Sequence, residues 1–237
     1  MSRLADSPLD EPPPPPLKIN LSFQRGWWVG FAIIGLLVVA GAIAPLFIRQ
    51  SKCRDWGPAE VTSLRLIGLA LFEFENQYGK YPDATTIDGV RKKSGTDLPL
   101  GTKTSNDFFR QLIAAGMTRS EFMFYAKIGG SKKPDNRIDA SHCLAKGEVG
   151  FAYLSGLAME GNPSRPLVVA PLVTGTDRFD PKPFKGKAII LRMDNSVSSV
   201  KIEKDGRVLI AGENILDPRN PIWDGRPPSI VWPDLYL

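Results

Sequence analysis

A run with no charged side chain limits this chain more than any other feature. Residues 26–48, GWWVGFAIIGLLVVAGAIAPLFI, would reach about 35 Å as a helix, against a bilayer hydrocarbon core of about 30 Å. That length predicts a single membrane-spanning helix, because a core helix rarely runs so far without a polar side chain. Trp27 and Trp28 stand at its start, where amphipathic rings favour the interface, and Arg25 and Arg49 bracket it. Pro45 falls in the last turn, where its missing donor does least harm. With Phe31 and Leu36, these residues make up the expected anchor. A cleaved signal peptide is the competing reading, since Ala42-Ile43-Ala44 has the small-x-small form of a cleavage site. Pro45 after the cut disfavours it, as does a long leader carrying Asp6, Asp10 and Glu11 where a short basic segment belongs. Flanking charge leaves the orientation open, with Lys18 and Arg25 on one side and Arg49, Lys52 and Arg54 on the other.

The 237 residues thus divide into a leader (1–25), the span (26–48) and a domain (49–237) large enough for one sizeable core or two small ones. The five prolines of residues 12–16 favour extended polyproline II, so the leader reads as a disordered tail, a spacer rather than a recruiting motif. A hydrophobic share of 43% with 23% charged residues excludes collagen-like, disulfide-framework and wholly disordered classes. The net charge of +5 comes from scattered Lys and Arg, clustered only at Arg91-Lys92-Lys93 and Lys132-Lys133. Both clusters read as solvated charge, and no nucleic-acid partner is expected.

Past the span, Gly57-Pro58 punctuates the chain, and Pro58 suits a first helical position. Val61, Leu64, Ile67, Leu71, Phe74 and Tyr78 then recur at three- and four-residue steps, flanked by Leu66, Ala70 and Phe72. The pattern predicts an amphipathic helix over 59–78, closed by Gly79, with Leu64, Ile67, Leu71, Phe74 and Tyr78 as its packing and assembly residues. Asp83 is expected to cap a short helix through Val90, and Ser105-Asn106-Asp107 to open another that Gly116 closes. Residues 150–154, 167–173, 187–193, 197–202 and 207–210 are short Val-, Ile- and Leu-rich runs and read as strands. Tight-turn residues at Asp194-Asn195-Ser196 and Asp205-Gly206 predict that the last three form an antiparallel meander. A long helix, then shorter helices, then antiparallel strands is an α+β order. The Pro-rich tail carries Trp223, Ile230, Val231 and Trp232, so it is expected on the domain surface or edge.

Catalytic templates are missing from the sequence. The single His142 removes His-cluster zinc sites, and it adjoins Cys143 in an expected short helix over 139–146, where adjacent side chains point apart. No GxSxG, GxxxxGK[ST] or GxGxxG pattern occurs, so no enzyme activity is expected. In the loop 174–186, Asp177 and Asp180 offer hard oxygen ligands. Ca²⁺ is the one cofactor weighed there, although the spacing lacks the alternating carboxylates of an EF-hand. Cys53 and Cys143 stand open as a disulfide pair in an oxidising compartment or as two unrelated thiols.

The apolar segment followed by Leu64-Arg65-Leu66-Ile67-Gly68-Leu69-Ala70-Leu71, Phe74 and Tyr78-Gly79-Lys80-Tyr81-Pro82 resembles the type IV pilin-like and type II secretion pseudopilin family. Ala188-Ile189-Ile190-Leu191-Arg192-Met193-Asp194-Asn195-Ser196-Val197 is similar to the strand-turn-strand that carries an Asp-Gly-x-Val signature in such proteins. The resemblance implies a pilin-like α+β fold, with the amphipathic helix lying across an antiparallel sheet. It implies a structural role in a secretion or pilus-like assembly, with the membrane, other pilin-like or secretion-system components and further copies of the chain as partners. It also implies single-pass placement in the inner membrane, with the leader cytoplasmic and 49–237 extracytoplasmic. The chain departs from the family where processing occurs: Gly30-Phe31 leads to Gly35, and Gly26-Trp27 to Phe31, where the family has Glu. The expectation is therefore an unprocessed, membrane-anchored pseudopilin-like protein. A membrane-tethered sensor domain binding a ligand or Ca²⁺ is the alternative.

Overall fold

In the computed structural model, which describes residues 58–157 and 161–236, the first element is helix α1 (Pro58–Tyr78). Leu64, Ile67, Leu71 and Phe74 are fully buried along it, so the three- and four-residue steps become one apolar stripe. Helices α2 (Ile87–Ser94) and α3 (Ser105–Ala114) follow. Asp83 does not cap α2; its carboxylate accepts the amides of Thr85 and Thr86 at 2.7 and 3.0 Å in the preceding turn. At α3 the cap is Thr104, whose side chain and that of Asp107 each take the other's backbone amide.

Among the described residues seven strands follow: β1 (Ala152–Ser155), β2 (Pro166–Ala170), β3 (Lys187–Arg192), β4 (Val197–Lys201), β5 (Leu209–Ile210), β6 (Glu213–Asn214) and β7 (Ser229–Val231). Five form an antiparallel sheet in the order β4-β3-β2-β1-β7, and β5 pairs with β6 separately. The register Tyr153↔Val168 and Val168↔Leu191 places those three side chains on the face covered by the helices, joined by Val231. Ala152, Val169 and Ile190 point to the other face, where Phe179, Ile202, Val208, Ile215, Leu216 and Trp223 cover them. Burial on both faces is why β2 reads as an unbroken apolar run instead of an alternating one. α1 lies over β3 and β4. At Gly68 the approach is so close that a Cβ would stand 3.0 Å from Leu191 Cδ1.

The expected fold is corrected in its membrane part. The described chain is α+β, but among the described residues no helix is long and apolar enough to cross a membrane. α1 has the length, at 21 residues, yet Glu60, Arg65, Glu73 and Glu75 lie along it and it packs as an amphipathic layer. Residues 26–48, with Trp27, Trp28, Phe31, Leu36 and Pro45, lie outside the described residues, as does Cys53.

Two local expectations are also corrected. The meander is β2-β3-β4; beyond it Ile202 and Val208 make only an isolated bridge, and Ala211 and Gly212, at φ 52° and 86°, fold β5 back onto β6. Residues 139–146 form hydrogen-bonded turns rather than a helix. The Asp139 carboxylate captures the amides of Ser141 and His142 at 2.9 and 3.0 Å, and Leu144 stands at φ 46°, outside the helical region. The C-terminal tail supplies the edge strand β7, while Trp223 is fully buried with its indole N–H donating to the Ile215 carbonyl at 3.0 Å.

Candidate functional site

The apolar stripe of α1 is wider than the core beneath it. Leu66, Leu69 and Phe72 are 47%, 57% and 46% exposed, and Phe122, on the adjacent 3₁₀ turn (Phe122–Phe124), is 45% exposed. Phe72 lies one helical step beyond Leu69, and Leu66, Leu69 and Phe122 border a groove of about 400 Å³ shared with Ala70, Met117 and Met123. Glu73 lines its rim, and the Lys133 ammonium stands 5.6 Å from the Phe122 ring centre. Half of a large apolar side chain is roughly 80–100 Å², so four together offer on the order of 350 Å². An apolar area of that size, rimmed by charge, is comparable to the largest patch of an ordinary monomer, which is often functional, and makes this face the candidate contact surface.

The residues expected to serve both packing and assembly serve packing. Leu64, Ile67, Leu71 and Phe74 are buried inside the domain, and Tyr78 stacks on Phe74 with ring centres 4.5 Å apart while Lys93 approaches its ring at 5.2 Å. Nearby, burial and then the Glu75 charge push the Tyr81 hydroxyl up to about 12. The side chains left free for a partner are Leu66, Leu69 and Phe72. Leu66 and Phe72 stood in the sequence pattern only as flanks.

Asp177 and Asp180 fall on either side of the buried Phe179. Asp177 Oδ1 pairs with Arg178 Nε at 3.1 Å, and Asp180 Oδ1 accepts the Lys182 amide at 2.9 Å. Neither belongs to a group of three metal-capable side chains among the described residues. His142 Nδ1 lies 2.7 Å from Asp139 Oδ1, a contact that, with the Ser141 amide, holds the Asp139 carboxyl below its ordinary value. Cys143 is a free, buried thiol, pushed up to about 12 by burial and then by the Glu121 charge, against a smaller pull from Arg110. A thiol held protonated at neutral pH is a poor nucleophile.

One acidic group does converge: Glu121, Asp135 and Glu148, each offering a carboxylate oxygen, with those oxygens within 4.8 Å of one another. Glu121 and Glu148 are fully buried and Asp135 is exposed. The Leu144 amide donates to Glu121 Oε1 at 2.6 Å and the Ala145 amide to Glu148 Oε2 at 2.8 Å. Glu121 Oε2 and Glu148 Oε1 have no hydrogen-bond partner, although Lys132 Nζ forms an ion pair with Glu148 Oε1 at 3.3 Å. Burial, followed by the charges of Glu148 and Asp135, raises the Glu121 carboxyl against the pull of the Leu144 amide. The three acids are far apart in sequence, so no spacing motif announces them.

No protein-family model matches the chain, nor does any curated protein or solved structure.

Proposed function

We propose that this protein is a structural and interaction component of a pseudopilin-like secretion or pilus-like assembly, not an enzyme, and that it joins its neighbours through the exposed face of α1. The observation that carries the reading is the line Leu66, Leu69, Phe72, half exposed on a helix whose opposite face is fully buried. Its occupant is the same face of a second copy of the chain. An apolar surface of about 350 Å² falls well short of the roughly 800 Å² per partner of a stable dimer. Such a contact is weak between isolated pairs and becomes effective where subunits are concentrated side by side. Attachment to a membrane supplies that concentration, and the uncharged apolar residues 26–48 support placing the chain at the inner membrane, with its folded domain outside the cytoplasm as the family resemblance implies.

A tethered Ca²⁺ sensor built on Asp177 and Asp180 is less well supported, because the first is engaged by Arg178 and the second by its own loop. Sedimentation of the full chain in mild detergent, compared with a Leu66→Ser, Leu69→Ser, Phe72→Ser variant, tests the assembly reading. The wild type should associate as concentration rises and the variant remain monomeric. Equal association of the two, or a wild type monomeric throughout, contradicts it.

A further inference from the structure

A buried, ionised carboxylate needs a partner for both oxygens, because desolvation costs several kcal/mol that one amide does not return. Glu121 and Glu148 are both fully buried, and each has one oxygen fixed by a backbone amide; Glu121 Oε2 has no hydrogen-bond partner, and Glu148 Oε1 has only the half-exposed Lys132 ammonium at 3.3 Å. We propose that Glu121, Asp135 and Glu148 form a binding site for a divalent cation of the Ca²⁺ class, bound through Glu121 Oε2, Glu148 Oε1 and an Asp135 oxygen. The inference goes beyond the assembly reading and does not depend on it.

Four features of the cluster support this. The donors are all carboxylate oxygens, which select hard cations over Zn²⁺ or Cu²⁺. Their separations, all within 4.8 Å, lie inside the roughly 4.6–5.2 Å that two Ca–O bonds span at most, so one ion can reach all three, and the irregular donor set suits the flexible coordination of Ca²⁺. The Leu144 and Ala145 amides hold Glu121 Oε1 and Glu148 Oε2, which fixes both carboxylates before any ion arrives. Three carboxyl groups face the one Lys132 ammonium, an excess of acid that a divalent ion balances. Asp135 is exposed, so ion and water enter from its side. The Lys132 side chain is 46% exposed, so its ammonium holds Glu148 Oε1 until a cation displaces it into solvent.

The test is a titration of the full chain, in mild detergent and stripped with chelator, with CaCl₂, followed by calorimetry and melting temperature. Saturable binding in the range of about 10⁻⁴–10⁻³ M is expected, with a rise in Tm of about 5–10 °C at a hundredfold excess over Kd. Glu121→Gln and Asp135→Asn should each weaken binding at least tenfold. Lys132→Met, which removes the competing ammonium, should tighten it by up to about fivefold. The paired change Asp177→Asn, Asp180→Asn should leave it untouched. Should the buried Glu121→Gln fail to fold, the exposed Asp135 and Lys132 variants decide the matter. No heat and no Tm shift at millimolar Ca²⁺ overturns the proposal, as does binding unaffected by Asp135→Asn. Loss of binding in the Asp177/Asp180 variant moves the ion elsewhere and overturns the assignment, and an equal response to MgCl₂ overturns the choice of Ca²⁺.

Discussion

Leu69 and Leu71 stand two residues apart on α1 in opposite environments, the first 57% exposed and the second fully buried. Truncating either to Ala removes three carbon atoms, each contributing about 0.8 kcal/mol when buried. At Leu71 the transfer loss alone is about 2.4 kcal/mol, and the cavity left in a close-packed core raises it to about 3–5 kcal/mol. At Leu69 less than half of the side chain is shielded, so the loss is about 1 kcal/mol, partly offset by the higher helix propensity of Ala. The two variants should therefore differ by about 2–4 kcal/mol, a gap in Tm of about 5–15 °C for a domain of this size. Thermal and urea unfolding of the full chain in mild detergent, followed by circular dichroism, measures it. Equal destabilisation, or a larger loss at Leu69, refutes the register of α1 and with it the exposed face on which the assembly reading rests.

Gly150→Ala sets a methyl 2.7 Å from both the Cβ and the carbonyl oxygen of Ala126; neither atom is the end of a flexible chain, so the urea midpoint should fall by the equivalent of about 1–3 kcal/mol at unchanged slope. Asn106 bridges α3 to the carbonyls of Leu144 and Ala145 and to the Asp234 amide at 3.0–3.1 Å, and Asn106→Ala should cost about 2–3 kcal/mol by unpairing buried backbone groups; faster amide exchange at Asp234 is its local signature. The Glu121 carboxyl is raised above its ordinary 4.5, so the folded chain keeps that proton to higher pH than the unfolded chain. Its contribution to stability is full below the ordinary value and is lost as pH rises through the raised one. In metal-free buffer Glu121→Gln should accordingly gain on the wild type in Tm from pH 4.5 toward neutrality, and a variant that loses ground over that interval contradicts the buried, unpaired carboxylate.

Local chemistry made α1 and the central strands legible. The apolar steps from Leu64 to Phe74 are the buried face of α1, and Ile189 and Leu191 in β3 face the helices as their alternation requires. What escaped depends on side-chain capture or on distant chain. The α3 cap lies one residue before the Ser105-Asn106-Asp107 signal because Thr104 and Asp107 serve each other. Residues 139–146 look helical by composition, yet the Asp139 carboxylate takes two amides that a helix would need. β7 reaches the sheet from the far end of the chain, pairing Val231 with Tyr153, a contact no local pattern encodes. The exposed row of α1 was hidden because a wide apolar stripe does not say which of its edges the core will cover. The acidic cluster was hidden because its members meet only after the turns around Asn136 and Leu144, both at positive φ, have formed.

The central claim, that the outer face of α1 meets its counterpart on a second copy, is tested most directly by site-specific disulfide cross-linking in native membranes. In a Cys53→Ser background, Leu69→Cys should form a cross-linked dimer on mild oxidation, while Lys92→Cys, exposed on α2, should form little. Cys143 is buried and adds no background. Dimer at position 69 and its near absence at 92 is the predicted result; none at 69, or equal yields at both, contradicts the account.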